Sequence, residues 1–151
     1  MLSILLPREA DNYFRGHKSG LWILAVVLLL LAMMSLNSIF NGHYVATKAD
    51  GLPLDSLSDA AAQVIITFYA IWGVTQLIVV TFGIVALVRY RALVSLAFLL
   101  LLVEQVLWRV VHYALPISKQ GASGGTWFIY ALLVVTLIGF ILSLWQRRAK
   151  G

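Results

Sequence analysis

Four long runs of apolar residues, separated by shorter polar segments, form the main pattern along this chain. The runs extend over about residues 20–41, 60–88, 92–115 and 126–146. Each has the roughly 20 residues that an α-helix needs to cross the hydrocarbon core of a bilayer, and the first is too long for the core of a signal peptide. The pattern therefore predicts an all-α integral membrane protein with four transmembrane helices in a single membrane domain.

The polar segments between the runs predict an up-down-up-down bundle. Residues 89–91 form a turn that is too short for anything but an antiparallel helical hairpin. The connection between the first two runs contains Asp50 and Gly51, which favour a turn. We therefore expect a short arm over residues 1–19, before the first helix. Two loops, over residues 42–59 and 116–125, are expected on the opposite side of the bundle.

Composition supports a membrane protein and narrows its chemistry. Of the 151 residues, 62% are hydrophobic and 11% are charged, whereas a soluble domain is roughly half apolar and a quarter charged. The net charge of +5 does not indicate a nucleic-acid partner, because the basic residues cluster at the ends of the apolar runs, where they orient membrane helices. The absence of cysteine excludes disulfides and thiolate metal sites. The histidine and aspartate spacings predict no metal site either.

The distribution of basic residues predicts the orientation in the membrane. The arm, the hairpin turn and the tail carry eight Lys and Arg residues, whereas the two loops on the other side carry only Lys48 and Lys119. Because basic residues are enriched on the cytoplasmic side, we expect both termini in the cytoplasm. The predicted location is the cell membrane, as a multi-pass protein of the bacterial inner membrane type.

The third run contains the polar cluster that singles it out from the others. Glu104, Gln105, Arg109 and His112 lie within an otherwise apolar segment. At 100° per residue, these four residues and Trp108 occupy an arc of roughly 140° on one helix. Ionisable residues inside a bilayer are costly, and they usually face a bundle interior or a cavity. We therefore expect this face to point inward and to carry a functional site.

The second run presents a matching face. Its aromatic and polar members are Tyr69, Trp72 and Gln76. Counted from Tyr90 at the hairpin turn, Gln76 lies 14 residues before and Glu104 lies 14 residues after. Because the rise per residue is equal in both helices, the two residues are expected at the same depth. The same count matches Trp72 with Trp108, so the two faces are predicted to meet near the middle of the bilayer.

The segment WGVTQLIVVTFGIVALVRYRALVSLAFLLLLVE, residues 72–104, resembles the central hairpin of small DoxX-like membrane proteins. Proteins of that family have a Gly-containing second span, a basic turn and an apolar third span. The resemblance implies a four-helix membrane bundle, and the family name comes from a subunit associated with thiosulfate and quinone oxidation. No catalytic motif is carried over, and a chain without cysteine is a poor candidate for thiol or thiosulfate chemistry.

Several functions remain open for the cluster around Glu104. The first is a binding module, or an accessory subunit, for a lipophilic molecule such as a quinone, an isoprenoid or a lipid. This molecule would be seated between Tyr69, Trp72 and Trp108, with Gln76 and Glu104 holding its polar end. The second is a small proton-coupled transporter, and the third is a purely structural network in which Glu104 and Arg109 neutralise each other through neighbouring helices or water. An enzyme with Glu104 as acid or base lacks a second catalytic group. Except for a quinone or lipid, no cofactor is expected.

Small residues on the fourth run bear on partners beyond the lipid bilayer. Thr136, Gly139 and Ser143 share one helical face, and small residues allow the backbones of two membrane helices to approach closely. We expect this face to pack inside the chain. Self-association, or contact with another membrane protein, is the alternative.

The predicted orientation can be tested by cysteine labelling. Because the chain has no cysteine, a Ser123→Cys variant should react with an impermeant thiol reagent added to whole cells, and an Ala149→Cys variant should react only after lysis. Labelling of position 149 and not 123 in whole cells would invert the topology.

Overall fold

The computed structural model describes residues 10–116 and 124–145, together with Leu5 and Pro7. Four long helices account for most of these residues, which include no β-strand: α1 (Ser19–Phe40), α2 (Asp59–Val88), α3 (Val94–Ala114) and α4 (Gly124–Leu144). All four are long and apolar enough to cross a membrane. The prediction of an all-α chain with four such helices is confirmed, which indicates a multi-pass membrane protein. The predicted loop at 116–125 lies almost wholly outside the described residues.

The connection between α1 and α2 is more helical than its turn residues indicate. An α-helical turn (Gly42–Tyr44) and a π-helical turn (Val45–Ala49) follow α1 directly. No Gly or Pro interrupts residues 43–49, and Ala46 is completely buried, so packing favours a continued helical path. The predicted turn comes next, where Gly51 has a φ of 70°, a conformation that favours glycine.

The start of α2 and the hairpin between α2 and α3 follow local sequence signals. The Ser58 side chain accepts a hydrogen bond of 3.3 Å from the Ala61 backbone N–H, which caps one of the free N–H groups at the start of α2. After α2, Arg89 and Tyr90 lead into a 3₁₀ turn (Arg91–Leu93). The reversal is therefore short, as predicted, and α3 runs antiparallel to α2.

Neighbouring helices are antiparallel, and they are packed unequally. A Cβ at Gly73 of α2 would lie 2.7 Å from the Ser35 carbonyl oxygen of α1, and one at Gly139 of α4 would lie 2.5 Å from the Phe98 ring of α3. Contacts are densest between α1 and α2, fewer between α4 and its neighbours α1 and α3, and sparse between α2 and α3. The bundle therefore has one weakly packed seam, between α2 and α3.

The apolar core lies toward one end of the bundle, which we call the arm end. This end holds the hairpin turn and the end of α4. The arm crosses it: the Ala92 N–H donates to the Asp11 carbonyl at 3.2 Å, and the His17 N–H donates to the Leu142 carbonyl at 3.0 Å. The buried core comprises Leu24, Val27, Leu28, Leu31, Val80, Ala86, Val94, Ala97, Phe98, Leu101 and Leu132. Backbone hydrogen bonds and core packing together close the arm end.

The opposite end, which holds the α1–α2 connection and which we call the loop end, is less closed. Val94, Leu101 and Trp108 are spaced by seven residues, so they lie on one face of α3. Their exposed fractions are 0%, 1% and 42%, respectively. A face that is fully buried near the arm end thus becomes accessible in the second half of the helix, because α3 loses its packing partners there.

The small-residue face of α4 packs inside the chain, as predicted. Thr136 and Ser143 are completely buried, and the Ser95 hydroxyl donates to the Ser143 carbonyl at 3.3 Å. Gly139 is pressed between Phe98 of α3 and Ile23 of α1. The face therefore joins α4 to two neighbours at once.

The close approach of α1 and α2 gives a stability prediction. Ala normally stabilises a helix relative to Gly by roughly 0.5–1 kcal/mol. At Gly73, however, the added Cβ would lie 2.7 Å from the Ser35 backbone oxygen, so the two helices must separate. We expect Gly73→Ala to destabilise the protein by roughly 1–3 kcal/mol, seen as a lower Tm in detergent.

The neighbouring Val74→Ala variant is the control, since Val74 is 51% exposed. Its Tm should remain close to that of the unmodified protein. An increase in Tm for Gly73→Ala would contradict the packing of α1 against α2.

Candidate functional site

A hydrogen bond between α2 and α3 lies at the centre of the candidate site. Gln76 Nε2 donates to Glu104 Oε2 at 3.2 Å. Gln76 is 3% exposed, and the Glu104 side chain is half-buried. The predicted facing of these two residues is confirmed, because equal counts from the hairpin turn bring them to one level. An amide thus bonds a carboxyl group across the weakly packed seam.

Two tryptophans lie beside this hydrogen bond, one turn further toward the loop end. The rings of Trp72 and Trp108 meet edge to face, with centroids 5.4 Å apart, a favourable geometry for aromatic pairs. The His112 ring lies 5.0 Å from the Trp108 ring, and its Nδ1 is 3.1 Å from the Trp108 carbonyl oxygen. These side chains lie along the weakly packed seam between α2 and α3. We call this part of the seam the α2–α3 cleft; its residues are Trp72, Gln76, Glu104, Trp108 and His112, together with Phe68, which helical spacing places on the same face of α2.

Gln105 and Arg109 point away from the cleft, toward α4. Gln105 Nε2 donates to Thr136 Oγ1 at 3.2 Å. Arg109 donates to the Ile129 carbonyl at 2.8 Å and to the carbonyl of Gln105 at 2.6 Å. Its guanidinium also lies 5.2 Å from the centroid of the Tyr130 ring, within the range of a cation–π interaction. The predicted cluster is therefore divided between the two sides of α3.

Glu104 and Arg109 do not form an ion pair. Among the residues that the structure describes, an ion pair is found in the arm, between Asp11 and Arg15. Five positions along a helix turn two side chains about 140° apart, and each of the two residues in α3 finds its partner on a different neighbouring helix. The separation of about 140° predicts that direct pairing along α3 is unfavourable, and the contacts of the two residues agree with this prediction.

The sequence places Tyr69 on the same face of α2 as Gln76, but its hydroxyl group contacts a different part of the chain. Its hydroxyl donates to Oδ2 of Asp50 in the α1–α2 connection. The Tyr69 Cβ also lies 3.6 Å from a Cβ built at Gly42. Tyr69 therefore ties the connection to α2 at the loop end, and it does not line the α2–α3 cleft.

Partners on α4 are the part of the site that sequence reasoning missed. Thr136 was identified only as a small packing residue, and nothing marked Tyr130 or the Ile129 carbonyl as partners of Arg109. A count across the hairpin turn locates residues on α3 because that turn is short. The same count fails between α3 and α4, since the length of the intervening loop leaves their relative heights open.

Three buried polar atoms near the middle of the bundle have no hydrogen-bond partner among the described residues. They are Trp72 Nε1, Gln105 Oε1 and Arg109 Nε. More than nine in ten buried polar groups in proteins are hydrogen-bonded, and each exception needs an explanation, such as a catalytic role, a water or a ligand. Trp72 belongs to α2 and lies in the α2–α3 cleft, whereas Gln105 and Arg109 lie on the side of α3 that faces α4.

The α2–α3 cleft combines aromatic side chains with a few polar groups. Its walls are aromatic and apolar, and its polar groups are an amide, a carboxyl group and an indole N–H. Small-molecule sites are typically apolar with a few converging polar groups. No pair of side chains there has the arrangement of a nucleophile with its base. The composition of the cleft thus matches that of small-molecule sites.

Comparison with family models, with curated proteins and with solved structures found no match for this chain. The resemblance of residues 72–104 to DoxX-like proteins therefore remains a prediction from sequence.

The pairing of Gln76 with Glu104 can be tested by crosslinking. A Gln76→Cys, Glu104→Cys double variant should crosslink in membranes with a short bifunctional reagent more readily than pairs in which one cysteine is displaced by one residue. The reason is that a step of one residue turns a helical side chain by about 100°. Equal crosslinking at all positions around α2 would mean that no fixed interface exists there.

Proposed function

We propose that this chain is a multi-pass protein of the cell membrane that binds a lipophilic small molecule in the α2–α3 cleft. The apolar part of the ligand lies against Trp72 and Trp108, and its polar end lies at Gln76 and Glu104. Both termini are cytoplasmic in this proposal, so the arm end faces the cytoplasm. The distribution of Lys and Arg supports that orientation.

The observation that carries the proposal is the half-buried Glu104 carboxyl group at an accessible seam. Among the described residues, its side-chain hydrogen bond comes from Gln76, and the tryptophan beside it keeps an unpartnered indole N–H. A central acidic residue costs roughly 2.5–3.5 kcal/mol on the insertion scale for membrane helices. A carboxyl group with so few partners, placed where a ligand can reach it, is better explained by binding than by stabilisation of the bundle.

The α4 side of α3 supports the site in a different way. Gln105 and Arg109 bond to Thr136 and Ile129, so they hold α3 against α4 and away from α2. In this proposal Arg109 is a structural residue. His112 is exposed at the loop end of the cleft, beside Trp108.

Proton-coupled transport is the second candidate, because Glu104 has no basic partner among the described residues. Carboxyl groups without a fixed counter-ion can exchange protons, and intramembrane acidic residues mark proton and substrate pathways. Transport would also require a second conformation that opens the arm end, which the arm and the core close here. Binding without transport needs no such change.

Retention of small molecules through gentle purification tests the proposed function. Mass spectrometry of the purified protein should detect a recurring lipophilic compound in stoichiometric amount. Glu104→Gln should keep the Tm within a few degrees, because the amide preserves shape, and it should lower retention at least tenfold. Arg109→Gln, on the other side of α3, should lower the Tm but keep retention per folded molecule.

Two other outcomes distinguish the alternatives. Proton flux in liposomes that Glu104→Gln abolishes would favour the transporter. Unchanged stability together with unchanged ligand content and flux in Glu104→Gln would contradict both ligand binding and proton-coupled transport. A loss of stability in Glu104→Gln, with ligand content unaffected, would assign Glu104 to a structural network.

A further inference from the structure

The depth of Glu104 restricts what kind of lipophile can reach it. Glu104 is the central residue of α3, with ten residues on either side to Val94 and Ala114. At a rise of about 1.5 Å per residue, its Cα lies roughly 15 Å from each end of the helix. That distance is also about half the thickness of the hydrocarbon core. A phospholipid headgroup at the interface therefore does not reach Glu104.

The hydrogen-bonding groups in the cleft restrict the polar end of the ligand. Trp72 Nε1 is buried and without a partner, and an indole N–H can only donate. The ligand must therefore offer an acceptor at this point, and a carbonyl or hydroxyl oxygen is the smallest group that does so in a lipophile. A larger or charged headgroup would lose far more hydration on reaching this depth.

The packing at the loop end restricts the route. The α1–α2 connection is held down on α2 by the Asp50–Tyr69 hydrogen bond. A Cβ at Gly125 of α4 would lie 3.1 Å from the Ala49 carbonyl oxygen, so the same connection also touches the start of α4. By contrast, α3 is exposed from Val106 to its end except at Arg109. The seam between α2 and α3 is therefore the least closed side of the loop end.

We propose that α2 and α3 part along the cleft to admit, sideways from the bilayer, a lipophile with one small oxygen-bearing head, whose carbonyl or hydroxyl then accepts a hydrogen bond from the Trp72 indole. This inference rests on the proposed function and selects among its ligands. Quinone-like and prenyl alcohol-like molecules fit, and phospholipids do not. Phe68, which is 66% exposed, lies on the same face of α2, one turn from Trp72 toward the loop end.

The ligand class is tested with three probes on protein in nanodiscs: a short-chain benzoquinone, a prenyl alcohol of three isoprene units and a spin-labelled phospholipid. One or both of the first two should bind saturably, and the phospholipid should not compete. Trp72→Phe should weaken binding roughly fivefold to tenfold, the worth of one hydrogen bond. Trp108→Phe keeps an aromatic ring without changing that donor, so it should weaken binding less.

The route is tested with single cysteines in this cysteine-free chain. A Phe68→Cys variant that has reacted with a bulky maleimide should load the probe at least tenfold more slowly than the unreacted variant. A Met33→Cys variant, labelled at a position that is 60% exposed on α1, should load normally.

The outcomes separate this inference from the proposed function. If neither lipophile binds and none copurifies, both fail. If a lipophile binds but phospholipid displaces it, if Trp72→Phe and Trp108→Phe weaken it equally, or if the label at position 68 does not slow loading, only this inference is overturned.

Discussion

A carboxyl group at the middle of an apolar helix is the constraint from which the arrangement of this bundle follows. The Glu104 side chain cannot face hydrocarbon without a large loss of hydration, so α3 must turn it toward α2, where Gln76 donates to it. Because successive residues of an α-helix are about 100° apart, this orientation turns Gln105 and Arg109 toward α4. There they meet Thr136 and the carbonyl of Ile129. One polar residue thereby fixes the rotation of α3.

The same arrangement explains why the two halves of the bundle differ. Near the arm end, α3 presents Ala97, Phe98 and Leu101, and all three are buried in a shared core. Beyond Glu104, the interior positions are taken by Trp108 and by residues that bond to α4, so little remains to hold α3 against α2. Polar specificity and close packing therefore occupy different levels of the bundle, and the cleft lies where packing gives way.

Sequence patterns were sufficient for the four helices, the antiparallel hairpin and the level of Gln76 with Glu104, because each depends on local periodicity or on a short turn. They were not sufficient for Tyr69, whose partner Asp50 depends on the path of a long connection. They also could not pair Gln105 with Thr136, since the loop that joins the two helices is long enough to leave their relative heights open. The division of the polar cluster between two helix interfaces depends on tertiary packing, although the angle of about 140° between Glu104 and Arg109 around α3 is consistent with it.

The proposed function depends most on direct contact between the ligand and Glu104. Infrared difference spectra, recorded on adding the short-chain benzoquinone or the prenyl alcohol to the protein in membranes, report changes at individual carboxyl groups. The proposed function predicts a carboxyl band that shifts on addition in the unmodified protein and is absent in Glu104→Gln. A band that persists unchanged in Glu104→Gln, or a spectrum with no carboxyl change despite saturable binding, would contradict it.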